Sequence, residues 1–117
     1  MNDLTPIRKL DLTSEITPAE TIVHASGVLW LKTAPSLRTI VEPLLVKNKT
    51  VVIDLANVST LDSTGLGTLR QLYDSATAAN CRLRLVNLNQ RLKTLFRITT
   101  LDQVMASALA SDHLETP

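Results

Sequence analysis

The amino-acid sequence predicts an α/β fold, with helices packed on a mixed, mostly parallel sheet of four or five strands. Three observations predict it. The run Val51-Val52-Ile53-Asp54-Leu55 is apolar nearly throughout, the mark of a strand covered on both faces and so of a central, parallel position. From Gly65 onward the apolar residues switch to a helical period. Strand and helix alternate through the second half, which gives the order β-β-α-β-α-β-α-α and a layered sheet-and-helix architecture.

Each element has its own justification. Ile7, Leu10 and Leu12 among polar residues suggest a first edge strand ending near Thr13, and Thr17-Pro18-Ala19-Glu20 reads as a turn. Thr21 to Ser26 is rich in β-formers and is predicted to end at Gly27. Pro35 suits the first turn of a helix whose inward stripe is Leu37, Ile40, Val41, Leu44 and Leu45, with a kink or early end at Pro43. After the central strand, Leu66, Leu69, Leu72, Tyr73, Ala76 and Ala79 line the inner side of a helix. Thr68, Arg70, Gln71, Asp74 and Ser75 take its outer side, and Asn80 stops it. Arg82 to Leu88 forms another strand. Two short helices follow, with Leu92, Leu95 and Phe96 inward in one and Val104, Met105, Ala108 and Leu109 inward in the other. Fraying is expected from Ser111 to Pro117.

Composition narrows the function classes. The 117 residues suit one domain, 1–117, and 44% hydrophobic with 20% charged residues is ordinary globular composition. Twelve Lys plus Arg against 11 Asp plus Glu create no global field for nucleic acid or an anionic membrane. The longest apolar run, Val28 to Leu31, is far short of a membrane span, and the N-terminus carries no apolar signal region, so a cytoplasmic location is expected. The single Cys81 has no partner for a disulfide or a metal site and reads as a small buried side chain.

One segment is not accounted for by packing alone. Ala56 to Gly67 is dominated by small polar residues and follows the central strand, so it is delivered to the carboxyl edge of the sheet, where α/β folds place ligands and partners. The next helix offers unpaired N–H groups and a positive dipole end there, and Asp62 or Ser63 can cap it. Read blandly, Asp62-Ser63-Thr64 is a capping cluster. Gly65 and Gly67, however, give up about 1 kcal/mol each of helix propensity relative to Ala, which points to close approach of another surface.

No catalytic constellation, cofactor motif or metal cluster accompanies this segment. Gly65-Leu66-Gly67 lacks the third glycine and the downstream acid of a dinucleotide fingerprint. There is no phosphate loop or nucleophile elbow, and His24 and His113 have no ligating or triad spacing. His24 reads as a satisfied core or edge residue. Arg82, Arg84, Arg91, Lys93 and Arg97 form a basic stretch without an acid. With Phe96 its one aromatic, it reads as a solvated face rather than a nucleic-acid surface.

The pattern Val51 to Leu55, Val58, then Leu61-Asp62-Ser63-Thr64-Gly65-Leu66-Gly67 resembles the STAS domain family, specifically its single-domain anti-sigma factor antagonists. Asp62 to Gly67 reproduces the family's Asp-Ser-Ser/Thr-Gly-Leu-Gly signature. Element order and the Arg82 to Leu88 segment extend the likeness over roughly residues 4 to 110. The resemblance implies a STAS-like fold in a binding protein that is not an enzyme and carries no cofactor. Its implied partners are an anti-sigma factor with serine kinase activity and a metal-dependent serine phosphatase, with no nucleic acid or membrane partner. It maps the phosphoacceptor onto Ser63 and the docking turn onto Asp62, Ser63, Thr64, Gly65, Leu66 and Gly67. Where family members often carry a Gly-Glu-Leu-Asp-like turn, this chain has Gly27-Val28-Leu29-Trp30. That leaves Trp30 as either a core residue or an exposed anchor, and it admits an alternative: an unphosphorylated adaptor docking on another protein such as a transporter ATPase.

Overall fold

The computed structural model describes residues 9–109. The expectations for Ile7, His113 and Ser111 to Pro117 lie outside the described residues. The elements are β1 (Leu10–Ile16), β2 (Thr21–Leu29), α1 (Ala34–Lys47), β3 (Thr50–Leu61), α2 (Ser63–Ala78), β4 (Arg82–Val86), α3 (Gln90–Ile98) and α4 (Leu101–Val104), followed by a helical turn at 106–109. This is the predicted order. The four strands lie side by side as β1-β2-β3-β4, with β1 antiparallel to β2 and the other pairs parallel.

Alternation along the strands sorts residues to two faces. Val23, Ala25, Val51, Ile53, Leu55, Leu83 and Leu85 join one apolar cluster with Leu37, Val41, Leu45, Leu69, Leu72, Leu92, Phe96 and Met105 from the helical half. Among the described residues, the opposite face carries no helix. Central β3 is parallel on both sides as predicted, but it is not covered on both faces as expected: on the second face Val52 is screened only by the side chains of its register partners Ile22 and Arg84, and Asp54 stays partly exposed. Arg84, one member of the basic stretch, pairs there with Glu20 at 3.3 Å.

Several boundaries differ from expectation for physical reasons. β1 runs on to Ile16 because its backbone ladder with β2 continues to Thr21. β2 does not stop at Gly27. That residue sits inside the strand at φ +127°, where a Cβ would lie 2.0 Å from the Lys9 carbonyl oxygen, so glycine serves a bulge instead of ending the strand. α1 continues through Pro43 to Lys47. Pro43 and Thr39 are both exposed, so the carbonyl freed by the missing N–H faces water. Ile40 is 43% exposed, and the inward stripe is Leu37, Val41 and Leu45 with Leu44 at its margin.

β3 extends six residues beyond Leu55, because each of its two register shifts against β2 accommodates one extra residue of β3. In α2, Thr68 is buried and Ala79 exposed, and Asn80 ends the element at φ +57°. β4 stops at Val86 because Asn87 takes φ +63°, although Leu88 is still buried. Val104 points out, whereas Met105 and Ala108 are buried. Cys81 is buried, and that burial pushes its thiol pKa up against the lowering effect of a Val51 backbone hydrogen bond.

Candidate functional site

The bulges carry β3 to the same edge as the end of β2, with Leu61 in register with Leu29. There the chain turns into α2 at Asp62, the extended N-cap residue. Four bonds converge on Asp62. Its backbone N–H donates to the Leu29 carbonyl at 3.2 Å, its backbone carbonyl accepts from the Leu66 N–H at 2.9 Å, its Oδ1 accepts from the Gly65 N–H at 2.8 Å, and its Oδ2 accepts from the Leu31 N–H at 3.1 Å. One carboxylate thus caps α2 and fastens the β2–α1 turn to it.

Gly65 completes this junction. A Cβ at that position would meet the Leu29 carbonyl oxygen at 2.4 Å, so the close approach predicted from the glycine is made by the chain's own strand. Gly67 differs: nothing lies within 4 Å of its Cβ position. Gly65 and Leu66 are buried, whereas Asp62, Ser63, Thr64 and Gly67 are exposed. Of the six residues predicted for docking, these four are accessible from outside. Ser63 is the first residue of α2, beside N–H groups that have no acceptor within the helix. The Asp62 carboxylate caps this tip by accepting from Gly65 and Leu31, and Ser63 stands exposed beside it at the positive end of the helix dipole.

The β2–α1 turn forms the neighbouring rim. Thr33 Oγ1 donates to the Val28 carbonyl at 2.7 Å and accepts from the Trp30 N–H at 2.9 Å, while the Thr33 and Ala34 N–H groups donate to the Trp30 carbonyl. Trp30 is neither a core residue nor a bare anchor. Its ring is half-buried, and the Lys32 ammonium lies 5.9 Å from the ring centroid, within cation–π range. Leu31 is 60% exposed. Sequence reasoning missed Leu31 because its proximity to Asp62 depends on a contact across 31 positions, and it missed the stacking of Lys32 on Trp30. An apolar residue between Trp30 and Lys32, just ahead of a helix, was the available signal.

Elsewhere on this edge, Asn89 caps α3 by accepting from Leu92 N–H at 2.8 Å, and its amide donates to the Val58 carbonyl at 3.1 Å. The exposed cations Arg91, Lys93 and Arg97 lie on the helix it caps. Among the described residues, no three His, Cys, Asp or Glu side chains converge as metal ligands, and no helix is long and apolar enough to cross a membrane.

A one-sided mixed sheet that presents an exposed serine on a helix tip defines a class of small α/β binding domains. The chain belongs to the STAS domain family, whose family model matches residues 11–115. It is 33% identical over 90 residues to an anti-sigma-B factor antagonist of Bacillus subtilis (strain 168), a match spanning 77% of this chain and 83% of that protein. A crystal structure of an anti-sigma factor antagonist from Mycobacterium paratuberculosis shares the fold, with a TM-score of 0.75, 24% identity and 86% of each chain covered. The Bacillus cell fate determinant SpoIIAA in its phosphorylated form also shares it, with a TM-score of 0.64, 18% identity, and 80% of this chain and 86% of that one covered.

Proposed function

We propose that this protein is an anti-sigma factor antagonist: it binds an anti-sigma factor, thereby frees a sigma factor, and is released when Ser63 is phosphorylated. The relative from Bacillus subtilis carries that antagonist role in its name. The observation that carries the switch is the exposed Ser63 at the first position of α2, beside an aspartate whose carboxylate is already engaged by two backbone N–H groups. A kinase partner would transfer the terminal phosphoryl group of ATP to Ser63 Oγ. The O–P bond forms as the bond to ADP breaks, and the hydroxyl proton leaves. A serine phosphatase would reverse the change by hydrolysis.

The phosphate adds about −1.5 to −2 charge at a helix N-terminus, which favours anions, so the domain itself need not refold. Pressed into a dry interface without a prepared cation, the same dianion loses its water. A penalty of about 2.8 kcal/mol already weakens binding roughly a hundredfold. Binding would be to Asp62, Ser63, Thr64 and Gly67 on the helix tip, Gly65 and Leu66 supporting them from below, in the cytoplasm where sigma factors act.

A second reading keeps the docking surface without the modification. It is favoured by Val28 and Trp30, which stand where family members often place acids, next to the exposed apolar Leu31. Intact-mass measurement after incubation with the native anti-sigma factor and ATP separates the two. One added phosphate that disappears in Ser63→Ala establishes the switch, and an unmodified chain that stays bound to its partner establishes the adaptor.

A further inference from the structure

On the helix-free face, one chain of polar side chains crosses the whole sheet. Glu15 of edge strand β1 meets His24 Nε2 at 3.0 Å, and His24 Nδ1 meets Asp54 Oδ2 on β3 at 2.8 Å. Asp54 Oδ1 accepts from the Asn87 amide just beyond β4 at 2.9 Å and from the Ala56 N–H at 3.0 Å. We propose that His24 is a pH-gated latch that fastens β1 to the rest of the sheet when it is an imidazolium and releases Glu15 when it is neutral.

Donor counting forces a change on deprotonation. An imidazolium donates through both ring nitrogens, but neutral imidazole retains one N–H, and both partners here are carboxylates that only accept. One of the two bonds must be lost. Asp54 is anchored by two further donors and its side chain is 19% exposed, whereas the Glu15 side chain is 58% exposed on an edge strand paired on one side only. The surviving proton stays with Asp54, and Glu15 swings free.

The other charged groups on this face leave the assignment intact. Thr13 lies opposite His24 on β1 and Asp11 opposite Ser26, while Glu20 is engaged by Arg84. The hydrogen bond to Glu15, then that to Asp54, raises the His24 pKa above 6.5 against a lowering by burial. The latch is therefore closed below 6.5 and opens as pH rises through the raised value.

The test is an NMR titration of the His24 ring combined with amide hydrogen-exchange protection factors, corrected for intrinsic rates, on the full chain. The expected result is a His24 pKa above 6.5 and a fall of about two- to fivefold in protection across β1 as His24 deprotonates, with β3 and β4 unchanged, in keeping with an exposed ion pair. Glu15→Gln, at an exposed edge position, should lower the His24 pKa and abolish the pH response of β1. His24→Gln should abolish it too. A β1 whose protection ignores the titration, or a response that persists in Glu15→Gln, overturns the latch.

Discussion

The carboxylate of Asp62 and the backbone N–H of Leu31, separated by 31 positions, meet at 3.1 Å while the other oxygen of the same carboxylate holds Gly65. One side chain therefore sets both the start of α2 and the position of the neighbouring turn. Asp62→Ala should lower stability by about 1–2 kcal/mol through the lost cap, and Asp62→Asn by less, because its amide oxygen can still accept from Gly65 although the bond from Leu31 is lost. Urea unfolding midpoints measure both; identical midpoints for the two variants would contradict a capping role.

The two glycines of the signature should respond in opposite directions. Gly65→Ala places a methyl group against the Leu29 carbonyl and should cost about 1–3 kcal/mol, because backbone on both sides resists displacement. Gly67→Ala enters open space in a helix and should stabilise by up to about 1 kcal/mol. Thermal unfolding of the two variants checks the opposition.

Acid should loosen the open face through Asp54. Burial pushes its carboxyl upward, but hydrogen bonds from Asn87, Ala56 and His24 outweigh that and hold its pKa below 3.8. Its contribution to stability is complete above 3.8 and is lost as pH falls through the depressed value. Asp54→Asn should therefore flatten the acid limb of the stability profile, read as unfolding free energy between about pH 2 and 5. An unchanged slope would remove Asp54 from the account.

Charge at the helix tip should govern association and leave folding alone. Ser63→Asp should weaken the cognate anti-sigma factor, whereas Ser63→Ala should bind as the unmodified protein does and resist ATP-dependent release. Both should keep stability within about 0.5 kcal/mol of wild type, since Ser63 is exposed. Calorimetric titration supplies the affinities. Equal binding by wild type and Ser63→Asp would count against charge as the switch.

Local pattern was enough for the element order, the central parallel position of β3, a helix cap at Asp62 or Ser63 and the family signature, because each depends on periodicity or on contacts within a few residues. It was also enough to mark Gly65 as a place of close approach. The identity of the approaching surface was not legible, since Leu29 reaches Gly65 only after β2 and β3 pair. The strand character of Ala56 to Leu61 was hidden for a related reason: bulges interrupt the alternation by which a strand is read, and small polar residues then resemble a loop.

What the sequence determined by itself is a serine at the start of a helix behind a buried strand, and with it the family. Tertiary structure alone decided that Asp62 bridges to Leu31, that Trp30 lies beneath Lys32, and that Glu15, His24, Asp54 and Asn87 stand in one row. The four members of that row come from four separate stretches of chain, and only strand pairing and bulge geometry bring their side chains within hydrogen-bonding distance.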